Sequence, residues 1–319
     1  MSPHATRVVI VGGGAGGLEL ATRLGKHLGK KQQARIVLVD AELTHIWKPL
    51  LHEVAAGTLN SYEDELNYFA HASRNHFEFR LGRMIGLDRN QKRVKLAALL
   101  DKEGREISPP REEPYDILVL ALGSTSNDFG TTGAAEHCIF LDTRAQAERF
   151  HSRLLSSYLQ AHAAGVNQEL HIAIIGAGAT GVELSAELVH AAGELARYGL
   201  DEIRPDGVKI SLIEASPRIL PALSERIARG AHRQLEHIGV QVLTNERVTC
   251  INANNIETAS GKKIPATLKV WAAGIKAPDF LSSLDGLETN RIHQLVVTPA
   301  LLTTHDQSVY AMGDCCSCV

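Results

Sequence analysis

Six glycines in two triplets carry the first chemical signal. Gly12, Gly14 and Gly17 stand at G-x-G-x-x-G spacing in VVIVGGGAGGLEL, and Gly176, Gly178 and Gly181 repeat that spacing in HIAIIGAGATGVEL. In such a triplet the first glycine permits a sharp turn, the second lets a pyrophosphate approach the backbone, and the third lets helix and strand pack closely. The helix that follows offers unpaired N–H groups and a partial positive charge to the phosphates. Each copy also has an acid where a ribose hydroxyl is expected: Asp40 ends ARIVLVD, and Glu214 ends VKISLIE. Glutamates two residues past the third glycine match as well, Glu19 in one copy and Glu183 in the other.

Positioning these groups requires strand, tight turn and helix in that order. Arg7 to Val11 is a short β-branched run of the kind buried on both faces of a parallel sheet, and a helical pattern follows to about His27. The two copies stay in step downstream. RMIGLD at Arg83 aligns with RVTCIN at Arg247, each near the start of a hairpin or meander. YDILVLALGSTSNDF at Tyr115 aligns with ATLKVWAAGIKAPDF at Ala266, each closing on A-x-G. Four landmarks in one order, twice, predict an α/β chain of two Rossmann-like, doubly wound dinucleotide-binding domains. The strand in VYAMGDC is expected to return to the first domain, so the second is inserted in the first. The expected limits are 1–142 for the first part of the outer domain, 143–285 for the insert and 286–319 for the return. A helix from Arg144 to Ala164 leads into the insert.

Bulk composition agrees. The 319 residues are 44% hydrophobic, enough for two cores. A net charge of −3 leaves no electrostatic footprint for nucleic acid. Five unevenly placed cysteines and the lack of a cleavable apolar leader suit a reducing cytoplasm. No apolar run has the length to cross a bilayer. Two dinucleotide sites in one chain allow one bound cofactor to reduce another, and the economical reading is a held flavin in the outer domain and a visiting nicotinamide in the insert.

The chain resembles the type II NADH dehydrogenases, the single-subunit flavoprotein NADH:quinone oxidoreductases of respiratory membranes. The resemblance runs its whole length through VGGGAGGLELATRLG, HIWKPLLHEVAAGTLN, ALGSTSNDF, GATGVELSAEL, VWAAGIKAPDF and GDCCSC. It implies FAD, NADH and a quinone acceptor. On matching positions it implies that Gly12, Gly13, Gly14, Ala15, Gly16 and Gly17 cradle the FAD pyrophosphate and that Asp40 binds its ribose. Met84 meets the adenine through its backbone, Ala121, Leu122 and Gly123 line the same cofactor, and Asp314 holds the ribityl-phosphate side. Gly176, Gly178, Ala179, Gly181 and Glu214 bind NADH, with Ala273 and Gly274 beside the nicotinamide. Glu183 and Lys48 are the implied catalytic residues. The family works at the inner face of the cell membrane as a peripheral protein, and a homodimer is one arrangement open to it. Relative to the resembling family the chain stops at Val319, short of a C-terminal region that carries the membrane surface and much of the quinone pocket. A shortened chain with loosely held FAD is the expectation.

Individual residues admit more than one reading. Glu214 accepts hydrogen bonds from a ribose diol and repels a 2′-phosphate, which favours NADH over NADPH, although Arg218 lies close by in sequence. Glu183 orients nicotinamide or relays a proton to quinone, or it simply complements the helix dipole. Lys48 stabilises charge on reduced flavin or is a solvated loop lysine, and Trp47 is expected to pack. Cys315, Cys316 and Cys318 lack the spacing of a zinc site, so no metal is expected and they read as small buried residues. Ala41 to Gly57 contains no cysteine, which removes the disulfide reductases. A sulfide:quinone oxidoreductase is poorly supported by Cys138 and the terminal cysteines. A flavin reductase serving a protein or soluble acceptor, and a catalytically silent redox sensor, remain as alternatives.

Overall fold

The computed structural model describes residues 5–60, 65–164, 169–197 and 207–319. They divide into two compact units: an outer one of Met1–Trp47, Glu65–Thr125 and Lys276–Val319, and a second of Lys48–Asp64 and Ser126–Ile275.

The outer unit is built on a five-stranded parallel sheet with Thr6–Val11 at its centre. Ala34–Asp40 and then Glu78–Leu81 lie to one side, Ile117–Leu120 and then Val309–Ala311 to the other. Alternate residues of the central strands serve different cores. Val9, Val11, Val37, Val39, Leu118 and Leu120 bury on one face. Val8, Ile10, Ile36 and Leu38 bury on the other, against Leu18 and Ala21 of the Ala15–Leu24 helix. This is why the strands read as unbroken β-branched runs rather than as alternating patterns. A three-stranded antiparallel meander, Met84–Asp88, Arg93–Leu96 and Arg111–Pro114, joins Glu78–Leu81 to Ile117–Leu120.

The second unit repeats the plan. Leu170–Ile175 is central, with Val208–Ile213 and Gln241–Leu243 to one side and Leu268–Trp271 and Ile139–Phe140 to the other, all parallel. Its meander runs through Val248–Ile251, Asn255–Thr258 and Lys263–Pro265. The two copies differ in where the last strand comes from. Val309–Ala311 arrives from downstream of the insert, as VYAMGDC led us to expect, whereas Ile139–Phe140 precedes the second fingerprint.

That difference moves the limits expected from sequence. Ser126 to Asp142, expected in the outer domain, belongs to the second unit, because Ile139 and Phe140 pair with Val270 and Trp271 and because Ala134 and Cys138 enter its core. Lys276 to Asp285, expected in the insert, belongs to the outer unit, where Ala277, Leu281 and Leu284 are buried. Lys48–Asp64 also joins the second unit: its helix Leu51–Ala56 packs on the helices Arg144–Ala164 and Ala179–Arg197. The Arg144–Ala164 helix spans the residues that its polar spacing indicated.

Candidate functional site

Both fingerprints turn in the same way. Gly12 and Gly176 each have φ of 104°, a conformation that side chains rarely adopt. A Cβ on Gly12 would strike the Ala121 carbonyl, and one on Gly176 would strike the backbone of Ala273. On Gly17 or Gly181 it would strike the carbonyl of Gly12 or Gly176. These four glycines are therefore packing residues that bring turn, helix and A-x-G strand together. Gly14 and Gly178 differ, since nothing lies within 4 Å of the Cβ position of either. Open space over the second glycine, at a helix start with no side-chain cap on Gly14, is the cradle that a pyrophosphate needs.

The residue between those glycines is gripped at both ends of its peptide. In the outer unit Gly13 N–H donates to Asp40 Oδ2 at 2.6 Å, and Tyr68 Oη donates to the Gly13 carbonyl at 2.6 Å. Tyr68 is buried, its ring stacks on Phe79 at 4.9 Å, and burial pushes its phenol well above the usual range, so it remains a donor. In the second unit Ala177 N–H donates to Glu214 Oε2 at 2.8 Å, and Leu220 N–H, from a residue with φ of 48°, donates to the Ala177 carbonyl at 2.8 Å. The other oxygen of each acid accepts a backbone N–H two residues on, from Glu42 and from Ser216, both at 2.8 Å. A carboxylate has about four lone-pair sites, so both acids keep capacity for ribose hydroxyls. Each cradle therefore offers room for a dinucleotide's pyrophosphate and an acceptor for its ribose.

The remaining outer residues gather at the same strand ends. Ala121, Leu122 and Gly123 follow Ile117–Leu120 directly, and Ser124 Oγ donates to Asp314 Oδ2 at 2.9 Å. Met312 reaches Gly16, where its Cε would lie 3.0 Å from an added Cβ. Gly82 N–H donates to the Asp40 carbonyl at 2.7 Å, tying the entry to Met84 onto the acid's strand; the Met84 side chain itself is buried in the core. The second unit repeats this tie with Glu246 N–H on the Glu214 carbonyl at 2.9 Å. Glu246 and Arg247 thus stand where Gly82 and Arg83 stand in the first copy, and with Gly176, Glu214, Ala273 and Phe129 they line a cleft of about 510 Å³. Arg218 turns away from a phosphate-binding role: its guanidinium donates to the carbonyls of Leu223 at 2.8 Å and Pro221 at 2.7 Å.

Glu19 and Glu183 prove unequal. Glu19 pairs with Arg23 one turn along its own helix at 2.6 Å, an exposed pair. Glu183 Oε2 lies 3.6 Å from Nδ1 of His52, a buried imidazole whose Nε2 lies 3.9 Å from Glu53 Oε1. Lys48, assigned by sequence to the FAD domain, falls in the second unit, where its Nζ lies 3.4 Å from Asp142 Oδ1. Trp47 is not the packing residue expected. It is 54% exposed and borders a shallow hollow with Leu18, Thr22, His45 and His71.

The terminal cysteines face backbone carbonyls. Cys315 is buried, with Sγ 3.4 Å from the Leu120 carbonyl and 3.3 Å from that of Met312. Cys316, half-buried, and Cys318, exposed, are not the buried residues expected, since they lie in a two-stranded pairing with Leu295–Val297. Burial raises the Cys316 thiol to about 11 and the Cys138 thiol to about 12. Among the described residues no three His, Cys, Asp or Glu side chains are grouped to hold a metal ion.

Sequence reading missed Tyr68, Leu220, Glu246 and Phe129. The internal repeat, carried on from Arg83 and Arg247, could have found Glu246. Phe129 belongs to the Asp-Phe pair that the repeat matches with Asp279-Phe280, a signal that marked the repeat and not a role, and a lone tyrosine carries no spacing signal.

Comparison with known proteins finds relatives along the length of the chain. The pattern of the pyridine nucleotide-disulphide oxidoreductases matches residues 6–319. A type II NADH:quinone oxidoreductase of Haemophilus influenzae is 45% identical over 98% of this chain and 74% of its own length. One of Staphylococcus aureus is 31% identical over 99% of this chain and 75% of its own. The structure of NDH2 from Plasmodium falciparum in complex with NADH shares the fold, with a TM-score of 0.83 at 20% identity; the match covers 99% of this chain and 65% of that one.

Proposed function

This chain belongs to the type II NADH:quinone oxidoreductase family, and from that membership we propose that it oxidises NADH through FAD and delivers the electrons to a quinone. The observation that carries the reading is the pair of matched cradles: in each, an open second glycine sits beside an acid that has lone pairs to spare. FAD, when bound, supplies the chemistry that nicotinamide lacks, taking a hydride and releasing electrons singly or in pairs.

The protein's own residues bind, orient and hold protons. The Gly14 turn and the start of the Ala15–Leu24 helix hold the flavin's pyrophosphate, and Asp40 takes its ribose. Gly178, Ala179 and Glu214 do the same for NADH, and the inward-tied Arg218 leaves Glu214 to reject a 2′-phosphate. Oxidising NADH and making a quinol consumes one proton from water per turnover. Glu183, half exposed and facing His52, is suited to carry it or to orient the nicotinamide amide.

A quinone partitions into lipid, which supports a peripheral position at a membrane, and the side we propose is the inner face of the cell membrane. Among the described residues no helix is long and apolar enough to cross one. The test is optical. The FAD-loaded protein should lose its yellow colour with NADH under anaerobic conditions and regain it with a short-chain quinone, but not with a disulfide or a ferredoxin. Colour that NADH leaves untouched would refute the proposal.

A further inference from the structure

Phe129 stands out among the large apolar side chains of the second unit. It is 68% exposed, yet its backbone is held at φ of 52°, in the left-handed region that bulky residues avoid. Three contacts enforce this. Asn127 Oδ1 accepts the Phe129 N–H at 3.0 Å, Asn127 N–H donates to the Gly274 carbonyl at 3.2 Å, and Trp271 Nε1 donates to the Asn127 carbonyl at 3.0 Å. The ring is thereby laid across Gly274, where a Cβ would run into it. It lines the same cleft as Gly176, Glu214 and Ala273.

A fold that only needed to cover Gly274 would bury that ring. Here a strained backbone keeps a flat apolar surface in water at the edge of a dinucleotide cleft. We propose that Phe129 is a binding residue for NADH, giving its ring face to the ribosyl-nicotinamide half of the cofactor beside Ala273 and Gly274. The inference rests on the reading of the second cleft as the NADH site. Glycine at 274 then has two reasons: its φ of 66°, and the room that the ring of Phe129 takes.

Binding of two probes to the FAD-loaded protein separates the possibilities: NADH, followed anaerobically by the decay of flavin colour against concentration, and ADP-ribose, which lacks the nicotinamide, followed by calorimetry. Phe129→Ala should weaken NADH about tenfold and leave ADP-ribose within about twofold. Phe129→Leu, which keeps apolar bulk and guards against a folding defect, should fall between wild type and alanine. Phe129→Trp should bind NADH and report it by quenching of the new indole. Equal weakening of both probes would place the ring on the adenosine half and overturn the proposal, as would NADH affinity unchanged in the alanine variant. Should wild type itself bind neither probe, the NADH reading of the cleft fails instead, and Glu214→Ala, which ought to weaken both, would show no effect.

Discussion

At the scale of single residues, the internal repeat supplies its own controls. Tyr68 and Leu220 hold equivalent carbonyls, but one does so with a side chain and the other with backbone. Only the first can be removed by substitution. Tyr68→Phe leaves the ring stacked on Phe79 and deprives the Gly13 carbonyl of its donor, a loss of about 1–2 kcal/mol when the group stays buried. The expected outcome is FAD affinity lower by about tenfold, read by flavin release on dilution, with NADH affinity unchanged. The same logic separates Glu183 from Glu19. Glu183→Gln should slow quinone turnover several-fold and flatten its pH dependence, because the variant cannot exchange a proton with His52. Glu19→Gln breaks an exposed i,i+4 pair worth about 0.3–0.5 kcal/mol, so steady-state kinetics should not change. If both variants slow turnover alike, the distinction between the twins is wrong.

At the scale of elements, the glycines divide into those that build the turn and those that leave it open. Gly17→Ala forces a methyl into the Gly12 carbonyl, and Gly181→Ala repeats the clash in the second unit. Gly14→Ala meets nothing in the protein. Gly17→Ala should therefore lower the melting temperature of the flavin-free protein, whereas Gly14→Ala should melt normally and yet fail to retain FAD. Calorimetry with and without added flavin checks both. The same elements show what the sequence could disclose. The strand–turn–helix units and both meanders were legible, because β-branched runs, glycine spacing and a terminal acid recur in one order. The unit boundaries were not. Ile139–Phe140 is a two-residue strand whose place is set by pairing with Val270 and Trp271, far along the chain, and no local pattern marks it. Lys48 and its neighbours likewise follow the Leu51–Ala56 helix into the second unit through packing on two distant helices. Phe129 and Tyr68 matter through what they touch, which only folding decides.

At the scale of the whole molecule, the two units differ in how they meet acid. Burial depresses the pKa of His45 and of His71, both in the outer unit. His71 Nε2 lies 2.8 Å from Thr22 Oγ1, whose own proton goes to the Leu18 carbonyl at 2.8 Å. Thr22 must then accept, so His71 carries a hydrogen on Nε2. A histidine held below its unfolded value of about 6.5 lets the unfolded chain take up protons first, so stability present above that pH declines as pH falls through it. The depressed carboxylates respond later. Arg35 holds Glu78 low in the outer unit, and hydrogen bonds from Lys262, Thr258 and Ser260 hold Glu246 near about 2 in the second. Their stabilisation is complete above about 4.3 and is lost as pH falls below it. Acid should therefore loosen the outer unit before the second. Hydrogen exchange, corrected for intrinsic rates, should show Thr6–Val11 and Ala34–Asp40 losing protection as pH falls below about 6.5, with Leu170–Ile175 and Val208–Ile213 holding until below about 4.3. His71→Gln, which keeps a donor for Thr22 and cannot charge, should narrow that gap. Simultaneous loss of protection in both sheets near neutrality, or earlier loss in the second, would show that these half-buried histidines do not set the order.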